Sequence, residues 1–91
     1  MFYICRIGGD EFAVILTEMS HEMRTVVSTK IDNIFKDLTD SSDGLPSITL
    51  SVGIAFSASL PSGENIYHAA DKALYEAKHN GRNRYVFYES D

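Results

Sequence analysis

Residues 6–12 read RIGGDEF and stand between two apolar runs, FYIC at residues 2–5 and FAVIL at residues 12–16. Gly8-Gly9 between strand-like runs is the composition of a tight hairpin turn, in which glycine supplies positive φ at little steric cost. A β-hairpin over residues 2–7 and 12–17 is the expectation. A bare turn has no need of the two acids that follow the glycines. On spacing alone Asp10 and Glu11 read most simply as a solvated acidic turn, the alternative being carboxylates gathered around a hard cation such as Mg²⁺.

Beyond the turn, Phe12, Val14 and Leu16 alternate with Ala13 and Ile15, so both faces of the second strand are apolar and cover is expected on both. Ser20 reads as a helix N-cap, and Met23, Val26, Val27, Ile31, Ile34, Phe35 and Leu38 recur at three- and four-residue spacing. One amphipathic helix of about five turns fits them. TDSSDGLPS is a polar loop broken by Gly44 and Pro46. Over residues 47–57, Ile48, Leu50, Val52, Ile54 and Phe56 alternate with Thr49, Ser51, Gly53 and Ala55. That is a strand with one face of small residues, against which another element packs closely. Ser62 is placed to cap a second helix whose face is Ile66, Ala70, Ala73, Leu74 and Ala77, with Gly81 as its stop. Tyr85–Tyr88 is a last short strand. The order hairpin, helix, strand, helix, strand predicts an α+β domain: an antiparallel sheet with the helices on one face.

At 91 residues the chain is one domain, with 44% hydrophobic and 23% charged residues. No apolar run approaches the roughly 20 residues of a membrane span, and charged residues interrupt the N-terminal run too early for a signal peptide. A cytoplasmic setting with no direct membrane contact from this segment is the expectation, with membrane tethering of the parent chain left open. The single Cys5 reads as a small buried hydrophobe. His21, His68 and His79 share no metal-ligand spacing and read as ordinary surface or partly buried residues. A net charge of −5 argues against nucleic acid as a partner. Yet four of the eight basic residues, Lys72, Lys78, Arg82 and Arg84, crowd one C-terminal window. Lys78 and Arg82, four residues apart, could point the same way and clamp phosphate oxygens, or simply dress a helix C-terminus with cations. Arg84 is expected to face solvent.

Three stretches in order, RIGGDEF, SVGIA at residues 51–55 and ADKALYEAKHNGRN at residues 70–83, resemble the C-terminal part of the GGDEF family of diguanylate cyclases. The resemblance implies a palm-like, ferredoxin-like (nucleotide cyclase-like) sheet and a bacterial signalling enzyme. Such an enzyme condenses two GTP into cyclic di-GMP and pyrophosphate with Mg²⁺ or Mn²⁺, at the interface of a homodimer. By the same resemblance Asp10 and Glu11 are metal ligands and catalytic residues. Gly8 and Gly9 admit the nucleotide, and Lys78 and Arg82 hold its phosphates. Arg6 and Asp71 are structural supports.

The family's domain is about twice this long. Residues 1–91 therefore correspond to its C-terminal half, and the strand that lies between the hairpin and the 47–57 strand, with another metal-binding Asp, belongs to the absent half. An upstream sensor domain is expected in the parent chain. Left without their neighbour, the two strands should dimerise, swap or re-pair, and this piece should be inactive alone. The family's RxxD inhibitory motif has its Asp at position 2; Phe2 stands there, so product inhibition through it is not expected. A non-catalytic GGDEF domain that binds GTP, or serves as a dimerisation module, is the alternative to an enzyme, and a plain structural domain the remaining one.

Overall fold

The alternation of the two longest strands dictates the layers. In the computed structural model, which describes residues 2–17, 21–40, 50–60 and 64–89, β1 (Phe2–Arg6) and β2 (Glu11–Leu16) form the predicted hairpin, antiparallel with Arg6 opposite Phe12. A single 3₁₀ turn, His21–Met23, leads into α1 (Arg24–Asp40). β3 (Ser51–Phe56) follows, then α2 (Ile66–His79) and β4 (Arg84–Phe87). The sheet order is β1-β2-β3-β4. Ser20, Ser62 and most of the 39–47 loop lie outside the described residues.

The sheet is mixed, not antiparallel. β2 pairs with β3 in parallel from Glu11↔Ser51 to Leu16↔Phe56, and β3 pairs with β4 in parallel from Ser51↔Arg84 to Ile54↔Phe87. A hairpin must be antiparallel, whereas a strand that returns through a whole helix can come back parallel. Both later connections are of that second kind. The strands between which the family resemblance implies a further strand are thus direct neighbours here.

Nor do the helices share a face. Val14, Leu16, Val52, Ile54 and Phe56 pack with Val27 and Ile31 of α1. Ala13, Ile15 and Ala55 pack with Ala69 and Ala70 of α2. Apolar side chains alternate to both sides of β2 and β3, so each side must be covered, and one helix goes to each. Both crossovers advance the same way across the sheet. Helices on opposite faces therefore give them opposite hands, and one of the two is the uncommon left-handed kind.

The small-residue face of β3 does receive a close neighbour. A Cβ at Gly53 would stand 2.2 Å from the Ala70 carbonyl oxygen and 2.2 Å from the Leu74 nitrogen, so the backbone of α2 rests directly on the strand. Asn65 caps that helix, its side chain accepting from the N–H groups of Tyr67 at 2.8 Å and His68 at 3.3 Å. At the other end Gly81 takes φ 113° and the Arg82 N–H returns to the Ala77 carbonyl at 3.0 Å, a Schellman-type stop. The predicted glycine stop stands, while the observed N-cap lies three residues beyond Ser62.

Candidate functional site

The RIGGDEF turn is a three-residue loop, Gly8 to Asp10, closed where the Ile7 N–H donates to the Glu11 carbonyl at 2.8 Å. Neither Gly8 nor Gly9 takes a positive φ, so the glycines do not form the two-residue mirror-image turn that the sequence suggested. The glycines matter by their lack of a side chain. A Cβ at Gly8 would lie 3.2 Å from the Glu11 carboxyl carbon, while one at Gly9 would meet nothing within 4 Å. Gly9 is the open apex. Arg6 stiffens the loop from beneath, donating from Nε to the Gly8 carbonyl at 3.1 Å and from a terminal nitrogen to the Gly9 carbonyl at 3.2 Å. The structural part read for Arg6 from the sequence is visible in those two bonds.

Glu11 opens β2 on the face that α2 covers. Because Gly53 lets α2 settle onto β3 at Leu74, the next turn of the helix brings Lys78 to the same corner. Lys78 Nζ lies 3.1 Å from Glu11 Oε1, with the two side chains 29% and 21% exposed. Two predicted site residues, 67 positions apart, thus form one partly buried ion pair. Asp10 is half-buried, and its backbone carbonyl accepts the Ser51 N–H at 2.9 Å, tying the turn to the start of β3. Its carboxylate has no hydrogen bond or ion pair among the described residues.

Arg82 is not brought into this cluster by any described contact. Helix α2 ends at His79, and Arg82 and Asn83 both take left-handed backbone, φ 59° and 47°, so the four-residue spacing from Lys78 does not act as a helical one. Arg82 is exposed, and its carbonyl accepts from Arg84 Nε at 3.1 Å. Arg84 begins β4 and is exposed, as expected. Asp71 is exposed on α2. His68 and His79 are exposed, His79 stacking on Tyr75 at 3.8 Å between centroids, and Cys5 is a half-buried free thiol against the Ala13–Ile15 cluster.

Sequence reasoning passed over Ser51. It is 1% exposed beside Glu11 in the sheet register, and its hydroxyl has no hydrogen-bond partner among the described residues. The signal was available: a hydroxyl on a face otherwise made of Gly53 and Ala55. Among the described residues no group of three or more His, Cys, Asp and Glu could enclose a metal ion. Asp10 and Glu11 offer two hard oxygen donors, the number a Mg²⁺ ion takes from protein when phosphates and water complete its shell. Among the described residues no helix is long and apolar enough to cross a membrane.

The family model for the diguanylate cyclase GGDEF domain matches residues 2–84. Diguanylate cyclase A of Treponema denticola is 38% identical over 81 residues, covering 87% of this chain and 22% of that protein. Diguanylate cyclase DosC of Escherichia coli is 34% identical over 90 residues, covering 97% and 20%. Diguanylate cyclase DgcP of Pseudomonas aeruginosa is 36% identical over 83 residues, covering 90% and 12%. No solved structure matches the chain significantly. The chain spans about a fifth of the length of the first two of these relatives. With its acidic turn intact and the end of α2 folded onto it, the chain belongs to the GGDEF-domain, diguanylate cyclase family.

Proposed function

We propose that residues 1–91 are the C-terminal half of a GGDEF domain whose parent chain condenses two GTP into cyclic di-GMP. In each half-reaction a ribose 3′-oxygen bonds to the α-phosphorus of the other nucleotide, the α–β bridging bond breaks, and pyrophosphate leaves with the bonding electrons. The observation that supports this reading most is the 3.1 Å contact between Glu11 and Lys78, a carboxylate and an ammonium at one partly buried corner beside the open apex of Gly9.

In this reading Asp10 and Glu11 hold a Mg²⁺ or Mn²⁺ ion, which when bound offsets phosphate charge and acidifies the attacking hydroxyl. Glu11 also receives or orients the 3′-hydroxyl proton. Lys78 exchanges its carboxylate partner for a phosphate oxygen when GTP enters, and so meets the charge that develops on the leaving pyrophosphate. Arg82, exposed just past the helix stop, reaches the same phosphates from outside. Gly8 leaves room for the Glu11 carboxylate, and Gly9 leaves room for the nucleotide.

The parent sheet is palm-like, with an upstream strand entering between β2 and β3 and supplying a further carboxylate. Two such domains, each holding one GTP, make the active dimer downstream of a sensor. The test is cyclic di-GMP production from GTP and Mg²⁺ by the 91-residue chain and by one extended upstream to the full domain. Product from the extended chain alone is expected. GTP binding without turnover by the extended chain would replace catalysis with a regulatory role.

A further inference from the structure

The two outer strands of the sheet are finished differently. Along β4, Arg24 sits over the Phe87 ring at 4.5 Å and pairs with Glu89 at 2.9 Å, and Arg84 is exposed at the strand's start. Charges of this kind discourage a further strand from adding. Among the described residues β1 has no such guard. Its one charged residue, Arg6, is turned onto the Gly8 and Gly9 carbonyls, it contains no proline, and it exposes Phe2 by 46% and Ile4 by 60%.

The hairpin register fixes which backbone groups face outward. Ile7 and Glu11 form a hydrogen-bonded pair, so by antiparallel alternation Cys5 and Tyr3 also bond inward to β2. The N–H and C=O groups of Phe2, Ile4 and Arg6 therefore point away from the sheet. That set is self-complementary. Two copies of β1 related by a two-fold axis at Ile4 place Ile4 opposite Ile4 and Phe2 opposite Arg6, using every outward group in about six hydrogen bonds. A shift of the axis by one residue either way leaves about four. No acid lies on the strand, so the chain's negative charge stays away from the seam.

The side chains agree with the backbone. Phe2 and Ile4 lie on the α1 face, where they wall a groove of about 180 Å³ shared with Phe12, Val14, Ile34 and Val52. An adjoining cavity of about 310 Å³ lies between Phe2, Met23, Val26 and Lys30. Val26 and Ile34 of α1 are about half exposed above them, at 45% and 51%. A second β1 would bring another Phe2 and Ile4 to the open side of this apolar strip and continue its floor into the neighbouring copy.

We propose that β1 is a homodimerisation edge, pairing antiparallel with β1 of a second copy about Ile4 into one eight-stranded sheet. This does not rest on the cyclase reading and holds or fails independently of it. The test is sedimentation equilibrium of the 91-residue chain in reductant, which excludes a Cys5 cross-link, for wild type, Ile4→Lys and Ile4→Pro. The proline removes an N–H that faces outward, so the β1–β2 ladder is kept. Circular dichroism establishes that each variant is folded. Wild type should approach twice 10.1 kDa as concentration rises, and both variants should weaken the association at least about tenfold. The Ile4 amide should exchange hydrogen more slowly in concentrated than in dilute wild type. A folded wild type that stays at 10.1 kDa throughout, or a dimer untouched by Ile4→Lys, overturns the proposal.

Discussion

Glu11 and Lys78 meet at 3.1 Å although one opens a strand and the other closes a helix. The contact joins the acidic turn to the basic end of α2, and it is the one described ion pair within the proposed site. Both side chains keep about a quarter of their surface in water, so the pair should be worth little as a stabiliser, about 0.5–1 kcal/mol. A double-mutant cycle with Glu11→Gln and Lys78→Met, read by urea denaturation, should return a coupling of that size that shrinks in high salt. A coupling above about 3 kcal/mol would mean a buried structural bridge instead of an exchangeable one.

Gly53 decides whether that contact can form. A side chain there has no room, since the atoms it would strike are helix backbone at 2.2 Å and not the flexible end of a side chain. Overpacking of this kind costs roughly 1–3 kcal/mol and sometimes more. Gly53→Ala should therefore lose at least about 1 kcal/mol and lengthen the Glu11–Lys78 separation as α2 is pushed off the sheet. A loss under about 1 kcal/mol would show that α2 does not lie so close.

Tyr85 makes the stability of the fold depend on pH in the alkaline range. Its hydroxyl donates to Asp32 Oδ1 at 2.6 Å, linking β4 to α1. Burial first, and then the Asp32 hydrogen bond and charge, raise the phenol above its ordinary value of 10.0. A phenol whose pKa is higher folded than unfolded favours the fold while both states are protonated. That contribution is complete below pH 10.0 and fades as the pH climbs through the raised folded value. Urea midpoints of wild type should fall relative to Tyr85→Phe as the pH rises above 10.0. Parallel curves for the two proteins would remove Tyr85 as the titrating group.

Much of this was legible in the residues, for identifiable reasons. The alternation of β3 marks a small-residue face, and the close approach of α2 at Gly53 fulfils it. The hairpin and the Gly81 stop follow from turn and cap chemistry. What alternation does not carry is the identity of a strand's neighbour or the direction of pairing, so the parallel β2–β3 ladder came only with the structure. Both faces of β2 being apolar already argued against helices on a single face. At the site, the residue types at positions 10, 11 and 78 were readable. The meeting of Glu11 with Lys78 was not, because it depends on how far α2 sinks onto the sheet. The separation of Arg82 from Lys78 depends on a helix end at His79 and left-handed backbone at Arg82.

If the RIGGDEF turn is a catalytic turn, Glu11→Gln in the chain extended to the full domain must abolish turnover without abolishing binding. The measurement is cyclic di-GMP formation from GTP and Mg²⁺, alongside GTP binding. Expected are turnover by the unmutated extended chain, a loss of at least about 100-fold in Glu11→Gln, and GTP binding retained within about threefold. Equal turnover by the two proteins would contradict a catalytic role for the turn.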